Sequence, residues 1–425
     1  MNSDSLVALA DDLVFTQTKK HLTDLQQSIL RETLNGQRYL QIARQRDCTE
    51  GHIRDAASNL WKLLSAVTGE KIKKSNLRSV LIKQKNDTET YISRSRQKTP
   101  KIILNNAPDV PDFVGRTSEL SLLQDWIVNH HSRLVTILGF SGIGKTALAL
   151  KLIDCIQCQF DAIYYRSLRF APSLNTTLGI LLRCLGETEA VAQDTEMQVA
   201  QLLTSLSQSR TLIILDDLHY LFDDKQQAGE YKSETRDYQF FLQSLAEVSH
   251  NSCILLLSWE KPLEVARLEG KLSWVHSLVL QGLEKAVIPL LNNQVSLKQE
   301  EWQSLIEISQ GNPLWLKLTI DTIQKLFHGE VTEFLQYHSL ILGDGCYHIL
   351  SQHFNRLSVA EKKMLQAIAF PSESHSFSTL CAESPAIAYT TLQSLQRRCF
   401  FTETQPKQDF NLCRLWQEYL HSIQS

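Results

Sequence analysis

No stretch of this 425-residue chain stays apolar for the ~18–20 residues that a membrane span requires. The first thirty residues also lack a leader core, because Asp4, Asp11 and Asp12 interrupt it. The expected compartment is therefore the cytoplasm, with no membrane partner. The nine cysteines are odd in number and irregularly spaced, which argues against a disulfide framework. Cys155 and Cys158 form a Cys-x-x-Cys without a second pair or a His cluster at zinc spacing. It reads either as two ordinary helix residues or as a redox or metal pair. A net charge of −3 excludes a polycation, although Arg44, Arg46, Arg54, Lys71, Lys73, Lys74 and Arg78 make the N-terminal region locally basic. No repeat array is visible. What remains is an ordinary globular composition, 43% hydrophobic and 21% charged, with length for about three domains.

The most informative stretch is Gly139-Phe140-Ser141-Gly142-Ile143-Gly144-Lys145-Thr146. It matches Gly, four free residues, then Gly-Lys-Ser/Thr, the pattern of a phosphate-cradling loop. An apolar, β-branched run precedes it (residues 133–138) and a run of good helix formers follows (146–153). Strand, glycine loop, helix is the context that the motif needs. Glycine lets the backbone approach phosphate without a Cβ clash, and the first helical amides point at the anion. Lys145 would reach the β- and γ-phosphates, and Thr146 would place a hydroxyl on Mg²⁺.

About seventy residues later, Thr211-Leu212-Ile213-Ile214-Leu215 ends in Asp216-Asp217. Carboxylates at the end of a buried strand lie in the crevice where open α/β sheets bind ligands. Asp216 would hold Mg²⁺ through water, and Asp217 would orient or deprotonate the attacking water. Further strands are expected at 162–165 and 253–258, and helices at 118–128, with Thr117 as cap, and around 176–185. From about Leu283 the chain reads as helical, with amphipathic segments at 360–369 and 386–398. Two short strands around 405–409 would close a winged helix. In the N-terminal region a helix from Leu22 ends at Asn35-Gly36. A short helix at 39–46 and a longer one capped by Thr49 follow, which is helix-turn-helix grammar. The exposed face of the third helix, with Glu50, His52, Arg54 and Asp55, serves either DNA contact or protein contact.

Together these motifs resemble an NB-ARC signalling ATPase of the STAND class. The matching pieces are Val114-Gly115-Arg116, the phosphate loop, Tyr165-Arg166-Ser167-Leu168-Arg169, Leu215-Asp216-Asp217, the strand ending at Ser258, and Gly311-Asn312-Pro313-Leu314. The N-terminal segment is similar to helix-turn-helix-like domains that precede such modules in cyanobacterial multidomain proteins. The resemblance implies an α/β parallel sheet of the P-loop NTPase type with helical and winged-helix domains, behind an all-α N-terminal domain. The implied borders are 1–92 for that domain, 93–112 for a linker, 113–275 for the nucleotide-binding domain, 276–345 for a small helical domain and 346–425 for the winged helix.

It further implies ATP or ADP with Mg²⁺ as cofactors, self-assembly after exchange, and an unidentified signalling or sensor partner. The nucleotide would be bound by Val114, Gly115, Arg116, Gly139, Gly142, Ile143, Gly144, Lys145, Thr146, Ala147 and Pro313, with Arg166 or Arg169 near the γ-phosphate. Lys145, Asp216 and Asp217 would carry the chemistry, and Thr146 and Asp216 the metal. Two departures stand out. Trp259 follows Ser258 where relatives often place an Arg, and residues 412–416 carry no His where relatives hold the ADP β-phosphate. Hydrolysis is accordingly expected to be slow. The alternative functions are a nucleotide-regulated transcription regulator contacting DNA through residues 20–82, and an ADP-bound adaptor that does not hydrolyse.

Overall fold

The computed structural model describes residues 6–7, 10–11, 14, 22–46, 48–68, 72–74, 76–81, 100–110, 112–186, 194–291, 297–336, 342–370, 384–401 and 412–424. The chain divides into two compact units, Met1–Thr99 and Pro100–Ser425.

The first unit carries α1 (Asp24–Leu34), α2 (Tyr39–Gln45) and α3 (Glu50–Thr68). Thr23 and Gln26 form a capping box that satisfies two otherwise unpaired amides of α1. Gly36, at φ 84°, ends that helix where expected. Thr49 Oγ1 accepts the His52 amide at 3.3 Å, as its reading as a cap requires. Ile53, Ala57, Leu60 and Leu64 recur at helical spacing along α3 and pack on Ile29 and Leu30 of α1.

The second unit is built on six strands: β1 (Lys101–Ile103), β2 (Leu134–Leu138), β3 (Ala162–Ser167), β4 (Thr211–Asp216), β5 (Cys253–Ser258) and β6 (Val275–Val279). All pair in parallel, in the order β1-β3-β4-β5-β2-β6. Every residue of β2, β4 and β5 is buried, which explains their unbroken apolar sequences. Alternate side chains serve opposite faces. Val135, Ile137 and Leu255 pack on one face with α5 (Lys145–Ile156), after α4 (Thr117–Gln124) has entered the domain. Leu134, Ile213 and Leu256 pack on the other with α6 (Leu174–Leu185), α7 (Thr195–Gln208) and α8 (Asp237–Glu247). Because β5 lies between β2 and β4, the phosphate loop, Ser258 and Asp216 emerge side by side at one sheet edge.

A helical half follows: α9 (Gln299–Ser309), α10 (Pro313–Leu326), α11 (Asp344–Asn355), α12 (Val359–Ala369), α13 (Pro385–Arg397) and α14 (Arg414–Gln424). Trp302, Trp315, Leu316, Leu365, Leu395 and Trp416 share its core. Asn312 caps α10 by accepting the amides of Leu314 and Trp315, with Pro313 in the first turn.

Several sequence expectations shift. β1 falls in the stretch read as a linker, and β6 straddles the border drawn at 275. Both therefore lie wholly or partly outside the 113–275 span. The helix expected from Ser118 to Val128 begins at Thr117 and passes into a π-turn at Asp125–Asn129. Phe400 and Phe401 form a bend rather than a strand, and the rest of the expected winged-helix hairpin, 402–411, lies outside the described residues.

Candidate functional site

β2 ends at Leu138, and the chain then winds through Gly139, Gly142 and Gly144 at φ 147°, 77° and 102° before α5 begins at Lys145. The conformations of Gly142 and Gly144 are ones that L side chains rarely adopt. A Cβ on Gly142 would also stand 2.2 Å from Leu314 Cβ, so α10 lies directly against the loop. Lys145 is buried, and its Nζ donates to the Gly139 carbonyl at 2.9 Å and the Phe140 carbonyl at 3.1 Å. Burial lowers its pKa to about 8, against the opposing attraction of Asp216.

The acidic strand end meets the loop. Thr146 Oγ1 donates to Asp216 Oδ2 at 2.6 Å, and Tyr165 Oη donates to the same oxygen at 2.9 Å. The Asp217 amide donates to Asp216 Oδ1 at 2.6 Å. Burial raises the Asp216 pKa and the neighbouring Asp217 charge adds to the rise, while the donated hydrogen bonds oppose it. Asp217 itself sits at φ 60° and accepts from Ser167 Oγ at 2.8 Å.

A hydroxyl and a carboxylate this close fit an ion that keeps most of its water and takes its remaining ligands from phosphate, as Mg²⁺ does. Among the described residues no group of three His, Cys, Asp or Glu side chains gathers as a metal site. Cys155 and Cys158 are exposed free thiols.

The other predicted residues are arranged around this centre. Arg116 is buried in the left-handed region and donates to Glu119 at 2.7 Å and to the Ile143 carbonyl at 3.0 Å, tying Val114-Gly115-Arg116 to the loop. A Cβ on Gly115 would stand 3.2 Å from both Leu283 and Ala286. Ala147 lines a hollow of about 510 Å³ with Leu104, Pro108, Val110 and Leu150. Arg166 and Arg169 point to different company. Arg166 hydrogen-bonds Tyr164, whereas Arg169 hydrogen-bonds Tyr220 and feels the charges of Asp217 and Asp216. Of the two, Arg169 is the one on which the charges of Asp217 and Asp216 act.

Sequence reasoning missed the residues that the helical half sends to the loop. His353 of α11 is buried, and its Nε2 accepts the Ser141 amide at 3.2 Å. Asn312 Nδ2 donates to the Ser141 carbonyl at 3.0 Å. Burial, with Lys145, Arg356 and Arg398 nearby, drives the His353 pKa far down, so the ring is neutral and able to accept. The available signal was a lone imidazole on the face formed by Leu350, His353, Phe354 and Leu357 of a helix and its continuation. That pattern does not name a partner 212 residues away.

Residues 133–290 match the NACHT domain family, and residues 1–84 match the family described as vWA-MoxR associated protein N-terminal HTH. The match over residues 133–290 is to a domain of the STAND-class P-loop NTPases. The family matched is NACHT, so the NB-ARC resemblance holds at the level of the STAND class. A similar protein is the uncharacterized WD repeat-containing protein alr2800 of Nostoc sp. (strain PCC 7120), 34% identical over 342 residues. That alignment covers 74% of this chain and 27% of the relative. Regulatory protein AfsR of Streptomyces griseus is 32% identical over 119 residues, covering 26% of this chain and 12% of that protein. The chain thus spans about a quarter or less of the length of these curated relatives.

Among solved structures, the Walker-type ATPase PABY2304 of Pyrococcus abyssi aligns with a TM-score of 0.47 at 13% identity, covering 76% of this chain and 98% of that one. The STAND protein PH0952 of Pyrococcus horikoshii, which has a tetratricopeptide repeat sensor, aligns at 0.39 and 18%, covering 76% and 44%. No helix among the described residues is long and apolar enough to cross a membrane.

Proposed function

We propose that this chain is a STAND-class nucleotide-operated switch that binds ADP or ATP with Mg²⁺ at the phosphate loop and hydrolyses ATP slowly. The observation that carries the reading is Ser141, held from the helical half by His353 and Asn312 within the loop that Lys145 stitches together. A nucleotide held by this loop is necessarily sensed by the helices that grip it. Lys145 and the amides opening α5 bind phosphate, and Thr146 and Asp216 hold Mg²⁺, which would supply charge neutralisation on the phosphate oxygens. Asp217, steadied by Ser167, orients water. Val114, Gly115, Arg116, Ile143, Ala147 and Pro313 frame the rest of the ligand. Lys145→Ala is expected to abolish binding of Mg-nucleotide measured by calorimetry. Unchanged affinity would remove the phosphate loop from the account.

Slow turnover rests on Trp259, which offers no charge-assisted contact after β5. Sustained phosphate release above an Asp217→Asn control separates a slow ATPase from an ADP-bound adaptor. In the N-terminal unit, Arg54 is paired with Glu50 at 2.6 Å, and Lys74 lies over the Tyr39 ring and bonds the Gln37 carbonyl. Internal use of these cations favours a protein partner, such as a sensor or a second signalling chain, over DNA. Salt-dependent binding of this unit to duplex DNA would reverse that preference. Cytoplasmic residence and nucleotide-driven self-assembly belong to the same proposal.

A further inference from the structure

The ends of β4 and β5 hold a second imidazole that the phosphate-loop chemistry does not use. His219 is 1% exposed, and neither Nδ1 nor Nε2 has a hydrogen-bond partner among the described residues. Its ring stacks on Trp259, with centroids 3.9 Å apart and planes 11° from parallel. Trp259 in turn lies 4.1 Å from the ring of His353. The backbone carbonyl of His219 accepts from Arg356 at 2.9 Å, so its position is fixed while its ring nitrogens stay unpaired among the described residues.

The placement gives this imidazole a meaning. Asp217, in the left-handed region, reverses the chain immediately after the carboxylates. His219 therefore follows them by two residues at the sheet edge where the phosphate loop also ends. Lys145 and Arg169 are near enough for their charges to act on the ring. Cations around a buried donor make a place suited to an anion. A buried donor left without an acceptor is costly, which points to a ligand state in which one is supplied.

We propose that His219 is the side chain with which this chain distinguishes a nucleoside triphosphate from a diphosphate, its imidazole N–H donating to the terminal phosphate. The inference rests on nucleotide binding at the phosphate loop. It assigns to Trp259 the work of holding the imidazole in place, where an arginine would have met the phosphate itself. Trp259 covers a face of the ring and leaves the in-plane N–H direction for the terminal phosphate. A diphosphate lacks the group that would accept from that N–H.

The test compares His219→Phe, which keeps a stacking ring and removes both nitrogens, and His219→Asn, which keeps an N–H donor, with the full-length chain. Calorimetry with Mg²⁺ and either ADP or a non-hydrolysable ATP analogue gives the two affinities, and a melting curve checks each fold. His219→Phe is expected to lose about tenfold or more in triphosphate affinity relative to diphosphate affinity. His219→Asn is expected to retain most of the discrimination. An unchanged ratio in a folded His219→Phe, or equal losses for both nucleotides, overturns the assignment while leaving the switch intact. If the wild-type chain binds neither nucleotide, the switch reading falls and the assignment falls with it.

Discussion

Strands β2, β4 and β5 bury every side chain they carry, almost all of them apolar. Where α11 and α13 meet the loops beyond those strands, ions and hydrogen bonds join the aromatic contacts of Phe140 and Trp259. Arg356 and Arg398 each meet Glu260 at 2.7 Å, and Arg398 reaches Glu361 at 2.9 Å. Ser394 Oγ accepts the Ala228 amide at 2.7 Å, and the Lys225 and Lys261 amides donate to the carbonyls of Arg356 and Arg397 at 2.9 Å. A sheet core cannot separate without exposing apolar surface to water. A polar joint can exchange its partners for water or for a ligand, because desolvation already offsets much of what the ion pairs gain. In the proposed switch, the chemistry would sit on the part that stays together and its control on the joint that can exchange its partners.

The largest test of that contrast is Arg398→Ala. It leaves Glu361, which is fully buried, with hydrogen bonds but no ion pair, and is expected to lower the stability of the helical half by about 3–5 kcal/mol, read from denaturant unfolding. A loss below about 1 kcal/mol would mean that the joint is no more than a wet surface. Asp217→Asn acts on the rigid side. Phosphate release in single turnover should fall about 100-fold, with nucleotide affinity kept. His353→Phe keeps an aromatic ring but frees the Ser141 amide, at about 1 kcal/mol, or roughly fivefold faster release of bound ADP by stopped flow.

The smallest effect concerns pH. Lys145 titrates at about 8 in the folded chain against an ordinary 10.5. Between those values the unfolded chain holds a proton that the folded chain has lost, so stability rises with pH there. Below about 8 both forms are protonated and the dependence disappears. Raising pH from 8 to 9 should stabilise the nucleotide-free wild type by about 1 kcal/mol relative to Lys145→Met.

Much of the rigid part was legible in the sequence. Largely apolar runs ending before Gly, in Asp or in Ser marked β2, β4 and β5, and residue types singled out Lys145, Thr146 and Asp216, of which Thr146 and Asp216 meet in the fold. β1 was not legible, because two exposed residues and one half-buried one carry no periodicity. The alternation of β3 does not itself choose between Arg166 and Arg169, since Arg169 lies beyond the strand's end at Ser167. Contacts such as His353 to Ser141 were invisible for a different reason. A buried imidazole on an amphipathic helix looks like any core histidine until a partner far along the chain folds against it. The polar joint is a product of tertiary arrangement, and its residues have no fixed spacing to read.

The central claim is that a nucleotide sits on the loop that Lys145 stitches and the helical half grips. Its most direct test is the melting temperature of the purified chain with and without saturating Mg-ADP, for wild type and Lys145→Ala. The account predicts a rise of several degrees in the wild type and none in the variant. A wild-type chain that does not shift, or a variant that shifts equally, would contradict it.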